Sequence, residues 1–297
     1  MQNRYNSYLR RQMKDQLIVK SSKKNRWVLA ILLLTGGVLG GAWLMENQAG
    51  PARATTHPAE TAATIPPYHY DSTKKYIYLT FDDGPQPGTV SCYNLCRTEG
   101  IKASFFMVGL HETMKSDGRQ IVNMIRSGYP RFLLANHSYT HANNKYLNFY
   151  HHPQKAAADF FQSQQALQVP YLIARLPGNR SWVREGELRA SGLVHPVARL
   201  LDSAGYNVIG WDIEWDFNHR SARPVETPET MARAVDSAFY KSTTHTPNHL
   251  VILTHDRMFR HPADADSLTK FIRLLKQNPG YVFETVDHYP GLKKLRP

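Results

Sequence analysis

From residue 76 onward, short apolar, β-prone runs alternate with longer amphipathic segments, and few folds accommodate that alternation. Strand-like runs at 76–81, 102–108, 131–135, 171–175, 206–211, 250–254 and 281–285 are separated by helix-like stretches. The stretches lie near 89–99, 119–127, 154–168, 194–204, 228–240 and 264–277. Parallel strands need a crossover between them, and a helix is the usual one, so the pattern predicts a largely parallel α/β sheet. A barrel and a doubly wound layer both satisfy it. With 297 residues, 42% of them apolar, the chain is long enough to bury such a core. In either architecture the loops after successive strands gather on one face, where chemistry collects.

The chemically active residues fall on that face. Asp82 and Asp83 follow the first strand-like run and lead into the turn Gly84-Pro85. His137-Ser-Tyr-Thr-His141 follows the third run, Arg175 ends the fourth, Asp212 and Glu214 follow the fifth, and His255 and Asp256 follow the sixth. Adjacent carboxylates repel unless something positive sits with them. A turn that merely uses Asp, Gly and Pro is the plainer explanation of the first stretch. His137 and His141 change the balance, because two imidazoles and one carboxylate form the ligand set of a catalytic zinc or similar divalent ion. With fourteen histidines some spacings arise by chance, and His151-His152 is one of these. A cation would relieve the repulsion between Asp82 and Asp83. One carboxylate can then ligate while the other takes a proton from the attacking water. His255 is the natural acid on the opposite side, with Asp212 or Glu214 to orient its ring. Arg175 is placed to hold the base carboxylate bidentately.

Together these stretches resemble the polysaccharide deacetylases, the NodB-homology members of carbohydrate esterase family four. The family's T-F-D-D-G-P block corresponds to residues 80–85, its H-[ST]-x-x-H to 137–141, and its R-x-P to Arg175-Leu-Pro177. An acid-Trp segment corresponds to Glu214-Trp215 and L-x-H to Leu253-Thr-His255. The similarity spans about residues 76 to 285. The resemblance implies a distorted, incomplete (β/α) barrel of about seven parallel strands. It further implies Asp82 as general base, Asp83, His137 and His141 as metal ligands, Arg175 as tether of the base and His255 as general acid. The implied reaction is hydrolysis of an N-acetyl group on an amino sugar of a polysaccharide, releasing acetate and a free amine. Two departures stand out: Gly178 follows Pro177 directly where the family usually inserts a residue, and Trp211-Asp-Ile-Glu-Trp215 carries Glu where Asp commonly precedes the Trp. Asp212 and Glu214 both remain candidates for the partner of His255. An O-acetyl esterase or deformylase on a small or lipid-linked glycan is the nearest alternative. A silent carbohydrate-binding domain is a second, against which the intact Asp82 and His255 argue.

Sugar contacts are expected from Trp182, in the Gly- and charge-rich stretch 177–196, and from Tyr139 and Pro177 beside the motifs. That stretch reads as a lid, a specificity loop or a plain surface insertion. Cys92 and Cys96 share a helix face four residues apart, which suits two small buried side chains better than a disulfide framework.

The first 74 residues read as a tail, an anchor and a tether. The net charge of +12 would suggest nucleic acid, but residues 1–26 hold eight Lys/Arg against one acid, so the excess is concentrated in the tail and no nucleic-acid partner is expected. Residues 27–45 carry no charge, with Trp27 and Trp43 near the ends, as a transmembrane signal anchor does. Cleavage near Ala52-Arg53-Ala54 is less consistent with so long an apolar run. The Ala-, Thr- and Pro-rich stretch 46–74 reads as a flexible linker, leaving 75–297 as the catalytic domain. The positive-inside rule then places that domain in the periplasm or outside the cell.

Overall fold

The computed structural model describes residues 68–293. The basic tail, the apolar run 27–45 and residues 46–67 of the predicted linker lie outside the described residues. Among the described residues, no helix is long and apolar enough to cross a membrane.

Ten strands form one sheet among the described residues: β1 (Lys75–Gly84), β2 (Ala103–Met107), β3 (Phe132–Asn136), β4 (Ile173–Ala174), β5 (Trp182–Arg184), β6 (Glu187–Arg189), β7 (Asn207–Val208), β8 (Ile213–Glu214), β9 (His249–His255) and β10 (Tyr281–Phe283). Their order is β6-β5-β7-β4-β3-β2-β1-β9-β8, with β10 added beside β1. All seven predicted strand-like runs are present and pair in parallel. The sheet curls into a half-barrel whose two end strands, β6 and β8, are not joined.

The longer helices are α1 (Thr89–Thr98), α2 (Gly118–Ser127), α3 (Pro153–Ala166), α4 (His195–Ser203), α5 (Pro228–Tyr240) and α6 (Pro262–Lys276), each within about two residues of its predicted span. Proline in the first turn needs no hydrogen-bond donor there and starts α3 through α6 well. Thr227 adds a cap to α5, its hydroxyl accepting from the Thr230 amide at 3.2 Å.

Strand β1 sets the geometry of everything else. It is buried on both faces, as a central strand covered by helices outside and side chains inside must be. Ile77, Leu79 and Phe81 point outward into a cluster with Cys92 and Cys96 of α1 and Phe271 of α6. Tyr76 and Tyr78 point inward and pack with Phe106, Leu133 and Val251 inside the curl. By the two-residue period of a strand, Thr80 and Asp82 also face inward. Cys92 and Cys96 are free thiols and fully buried, in the packing role expected of them.

The stretch 177–196 differs from the lid or surface loop expected of it. It contains the β5–β6 hairpin, turned at Glu185-Gly186 and joined antiparallel to β7, so it extends the sheet. Gly186 supplies the positive φ (68°) that a two-residue turn needs. Trp182 and Val183 are buried by it.

Candidate active site

Regular alternation would point Asp82 into the curl and Asp83 out among the helices. A bulge between Asp82 and Gly84, where β1 pairs with β2, breaks the alternation. Asp83 takes φ 76°, a left-handed conformation that costs a residue with a Cβ about 1–2 kcal/mol. The result is that both carboxylates approach one site. Gly84 is needed just beyond, since a Cβ there would lie 2.4 Å from Met107 Sδ and 2.5 Å from Asp256 Oδ2.

Asp82 is fixed by Arg175, whose side chain is completely buried. One guanidinium nitrogen, Nη1, donates to Asp82 Oδ1 and to Thr80 Oγ1, both at 2.7 Å. Nε donates to the Ile209 carbonyl at 3.0 Å and Nη2 to the Gly210 carbonyl at 2.9 Å. The expected bidentate grip is therefore a single hydrogen bond, because backbone carbonyls beyond β7 take the remaining donors. Asp82 Oδ2 is left unclaimed by the guanidinium. Burial raises the Asp82 pKa above the usual range, with Arg175 and His255 opposing it.

His137 and His141 come from the loop after β3. Asn136 accepts from the Ser138 amide at 2.9 Å and donates to the Phe160 carbonyl at 2.9 Å. Asp159 of α3 accepts from the amides of Tyr139 and Thr140 at 2.7 and 3.0 Å, and from the Thr140 hydroxyl at 2.8 Å. Neither Asn136 nor Asp159 stood out in the sequence, although Asp159 is the lone acid of its helix. His137 Nδ1 lies 2.9 Å from the Arg175 carbonyl and must donate there, which leaves the lone pair on Nε2. That Nε2 lies 3.5 Å from Asp82 Oδ2 and 3.6 Å from Asp83 Oδ1, while His141 Nε2 lies 3.1 Å from Asp83 Oδ1. Burial and then His141 push the His137 pKa down to about 3, so its ring is neutral. Burial works to raise Asp83, but His141, His255 and His137 outweigh it and hold the carboxyl well below the usual range.

Buried Asp83 Oδ1 accepts no hydrogen bond. Ligand atoms of Asp83, His137 and His141 all lie within 4.8 Å of one another. A buried carboxylate oxygen facing the Nε2 atoms of His137 and His141 offers two nitrogens and one oxygen, a donor set that fits a divalent cation.

His255 stands opposite Asp82 in the β1–β9 register, on the same inner face. Its Nδ1 is buried without a hydrogen-bond partner, and the Phe217 ring lies 4.9 Å away, edge to face. Burial lowers its pKa against the pull of Asp83 and Asp82. Neither expected carboxylate holds that Nδ1. Asp212 is committed elsewhere, accepting from the amides of His245 at 2.6 Å and Val251 at 2.7 Å. Val251 is four residues before His255 on an extended strand, so Asp212 sits about 13 Å too far back to be its partner. Glu214 pairs with Leu253, two residues before His255, and its carboxyl is pushed up to about 8, by burial and then by Asp216 and Asp82.

The expected sugar contacts fare differently. Trp182 is 2% exposed, stacked on His245 with ring centroids 4.1 Å apart, and belongs to the core inside the curl. It cannot offer a face to a sugar. Pro177 is also buried, its carbonyl accepting from the Tyr150 hydroxyl at 2.6 Å. Tyr139 is half-buried in the histidine loop, within the motif but fixed by its backbone. Phe217, which the sequence did not mark, is the aromatic beside His255.

Residues 69–172 match the family model described as polysaccharide deacetylase. The chain is 25% identical to the chitin disaccharide deacetylase of Vibrio alginolyticus over 73% of this chain and 72% of that protein. It is 24% identical to the peptidoglycan-N-acetylglucosamine deacetylase of Bacillus cereus over 92% of this chain and 97% of that one. A Streptococcus mutans CE4 esterase superposes with a TM-score of 0.52 at 25% identity, covering 71% of this chain and 86% of that one. The matched segment contains the Asp82-Asp83 bulge and the loop bearing His137 and His141, so the similarity to polysaccharide deacetylases falls on the residues that build this site.

Proposed function

We propose that this protein is a membrane-anchored, divalent-metal-dependent hydrolase that removes N-acetyl groups from amino sugars of a cell-envelope or extracellular polysaccharide. The observation that carries this reading is the meeting of Asp83, His137 and His141 beside an Asp82 fixed by a buried arginine. The relatives whose names specify chitin disaccharide and peptidoglycan N-acetylglucosamine support an acetamido sugar as substrate. The uncharged run 27–45 after a basic tail supports a single-pass anchor with the domain outside the cytoplasm.

Asp83, His137 and His141 would hold the cation, zinc being the natural candidate for this donor set. When bound there, such an ion polarises a carbonyl and eases ionisation of water. Asp82 takes the proton of the attacking water on Oδ2, the oxygen that Arg175 leaves unclaimed, while the bond to Oδ1 keeps the carboxylate from rotating away. As the new carbon–oxygen bond forms and the amide carbon–nitrogen bond breaks, His255 gives a proton to the departing amine. Acetate and a free amino sugar remain. Glu214, and not Asp212, is the carboxyl close enough to influence Asp82 and Arg175.

The test is acetate release by the detergent-solubilised full chain from N-acetylglucosamine oligomers and peptidoglycan fragments, with zinc and with chelator. Release that stops with chelator and is lost in Asp82→Asn is expected. Metal-loaded protein that releases no acetate from any of these substrates would overturn the reading.

A further inference from the structure

The bulge that aims Asp83 creates a second problem. Asp82 pairs with Phe106 and Gly84 with Met107, so Asp83 lies between them with no opposite number in β2. Its pairing with β9 has already ended at Asp82. The Asp83 carbonyl is thus excluded from both ladders in a buried part of the chain, where a backbone acceptor needs donors. Two side chains supply them. His111 Nδ1 lies 2.7 Å from the Asp83 carbonyl oxygen, and Gln86 Nε2 donates to the same oxygen at 2.7 Å. Because a carbonyl only accepts, His111 Nδ1 carries the proton. Both lone pairs are then used. The two donors come from different directions along the chain. Gln86 lies three residues on, in the turn after β1, and His111 lies after β2, where the Val108 amide also donates to the Gly84 carbonyl at 2.8 Å.

We infer that His111 and Gln86 are positioning residues for the metal centre: by binding the Asp83 carbonyl they hold the left-handed backbone that turns the Asp83 carboxylate toward His137 and His141. Neither touches the reacting atoms. Without them the carbonyl gains most by returning to the ladder, and that motion swings Asp83 back toward the helical layer. The inference rests on the metal reading above, and its test reads metal affinity in place of activity.

The experiment is chelator competition for zinc on the full-length protein, together with the visible absorption of the cobalt-substituted form, for wild type and for His111→Ala, His111→Asn and Gln86→Ala. Loss of an outer partner of a metal ligand typically weakens binding by about ten- to a hundredfold, and that loss is expected for His111→Ala. Gln86→Ala should be weaker than wild type in the same direction. His111→Asn keeps an N–H near the position of Nδ1 and should restore both the affinity and the cobalt spectrum. A merely structural role would lower the melting temperature without moving the cobalt spectrum, and that outcome overturns the inference. Unchanged zinc affinity in both alanine variants also overturns it, and Gln86→Ala decides the matter if His111→Ala does not fold. Wild-type protein that takes up no stoichiometric metal would instead fail the metal reading itself.

Discussion

Replacing Arg175 with lysine keeps the positive charge beside Asp82 and removes only the geometry of the guanidinium. Three nitrogens of Arg175 make four hydrogen bonds, to Asp82, Thr80 and the carbonyls of Ile209 and Gly210, all in the interior. A single ammonium cannot reach acceptors spread around a planar fork. If it keeps Asp82, the Ile209 and Gly210 carbonyls lose their donors, and each buried group left unsatisfied costs about 1–3 kcal/mol. Arg175→Lys should therefore lose roughly 2–6 kcal/mol of stability. For a domain of this size each kcal/mol moves Tm by about 2–4 °C, so calorimetry of the chelator-treated protein should show a fall of roughly 4–24 °C. Chelator removes any contribution from metal binding. Turnover of the reloaded variant should fall as well, because the Asp82 carboxylate loses its fixed donor. A fall in Tm of under about 2 °C would show that the charge alone suffices and that the fork does not organise the interior.

Trp182→Phe should lower Tm, since the indole is stacked in the core, yet leave the KM for sugar oligomers unchanged; a raised KM at unchanged stability would restore it as a sugar contact. His255→Ala should depress turnover of amides more than of activated esters, because an amine needs the proton more, and equal losses would remove His255 as the acid. Glu284 accepts from Lys102 at 2.7 Å and from the Tyr68 hydroxyl at 2.8 Å, with His288 Nδ1 3.0 Å away. Burial alone would raise its pKa, but His288, Lys102 and the Thr285 amide hold it at about 2. A depressed carboxyl stabilises the fold above its unfolded pKa, and this stabilisation drains away as pH falls from about 4.5 to about 2. Glu284→Gln should be less stable in urea at pH 7, by roughly 2 kcal/mol once screening at the one-third-exposed Lys102 is allowed for, and should lack that part of the acid limb. Identical acid limbs in the two proteins would refute the assignment.

Strands, helices and the strand-end residues were legible because each depends on local periodicity. The order of Asp82-Asp83, the histidine pair, Arg175 and His255 along the chain was sufficient to place them on one face. Residues whose role depends on tertiary position were not legible. Asp159, His111 and Gln86 act on backbone groups that the bulge or the histidine loop leaves unpaired, and nothing in their own neighbourhood announces it. A sugar contact is expected of Trp182 because Gly- and charge-rich sequence surrounds it, but the turn at Glu185-Gly186 folds that stretch into the sheet. Neither Asp212 nor Glu214 holds His255 Nδ1, and strand register, which local sequence does not reveal, separates them: Asp212 serves the backbone early in β9 while Glu214 lies nearer the end that carries His255.

Metal content and turnover, measured side by side on wild type, Asp82→Asn and His137→Ala, test the division of labour between the two aspartates most directly. Asp82→Asn should keep one divalent ion per chain and lose turnover, and His137→Ala should lose both. Stoichiometric metal in His137→Ala, or turnover in Asp82→Asn, would contradict the account.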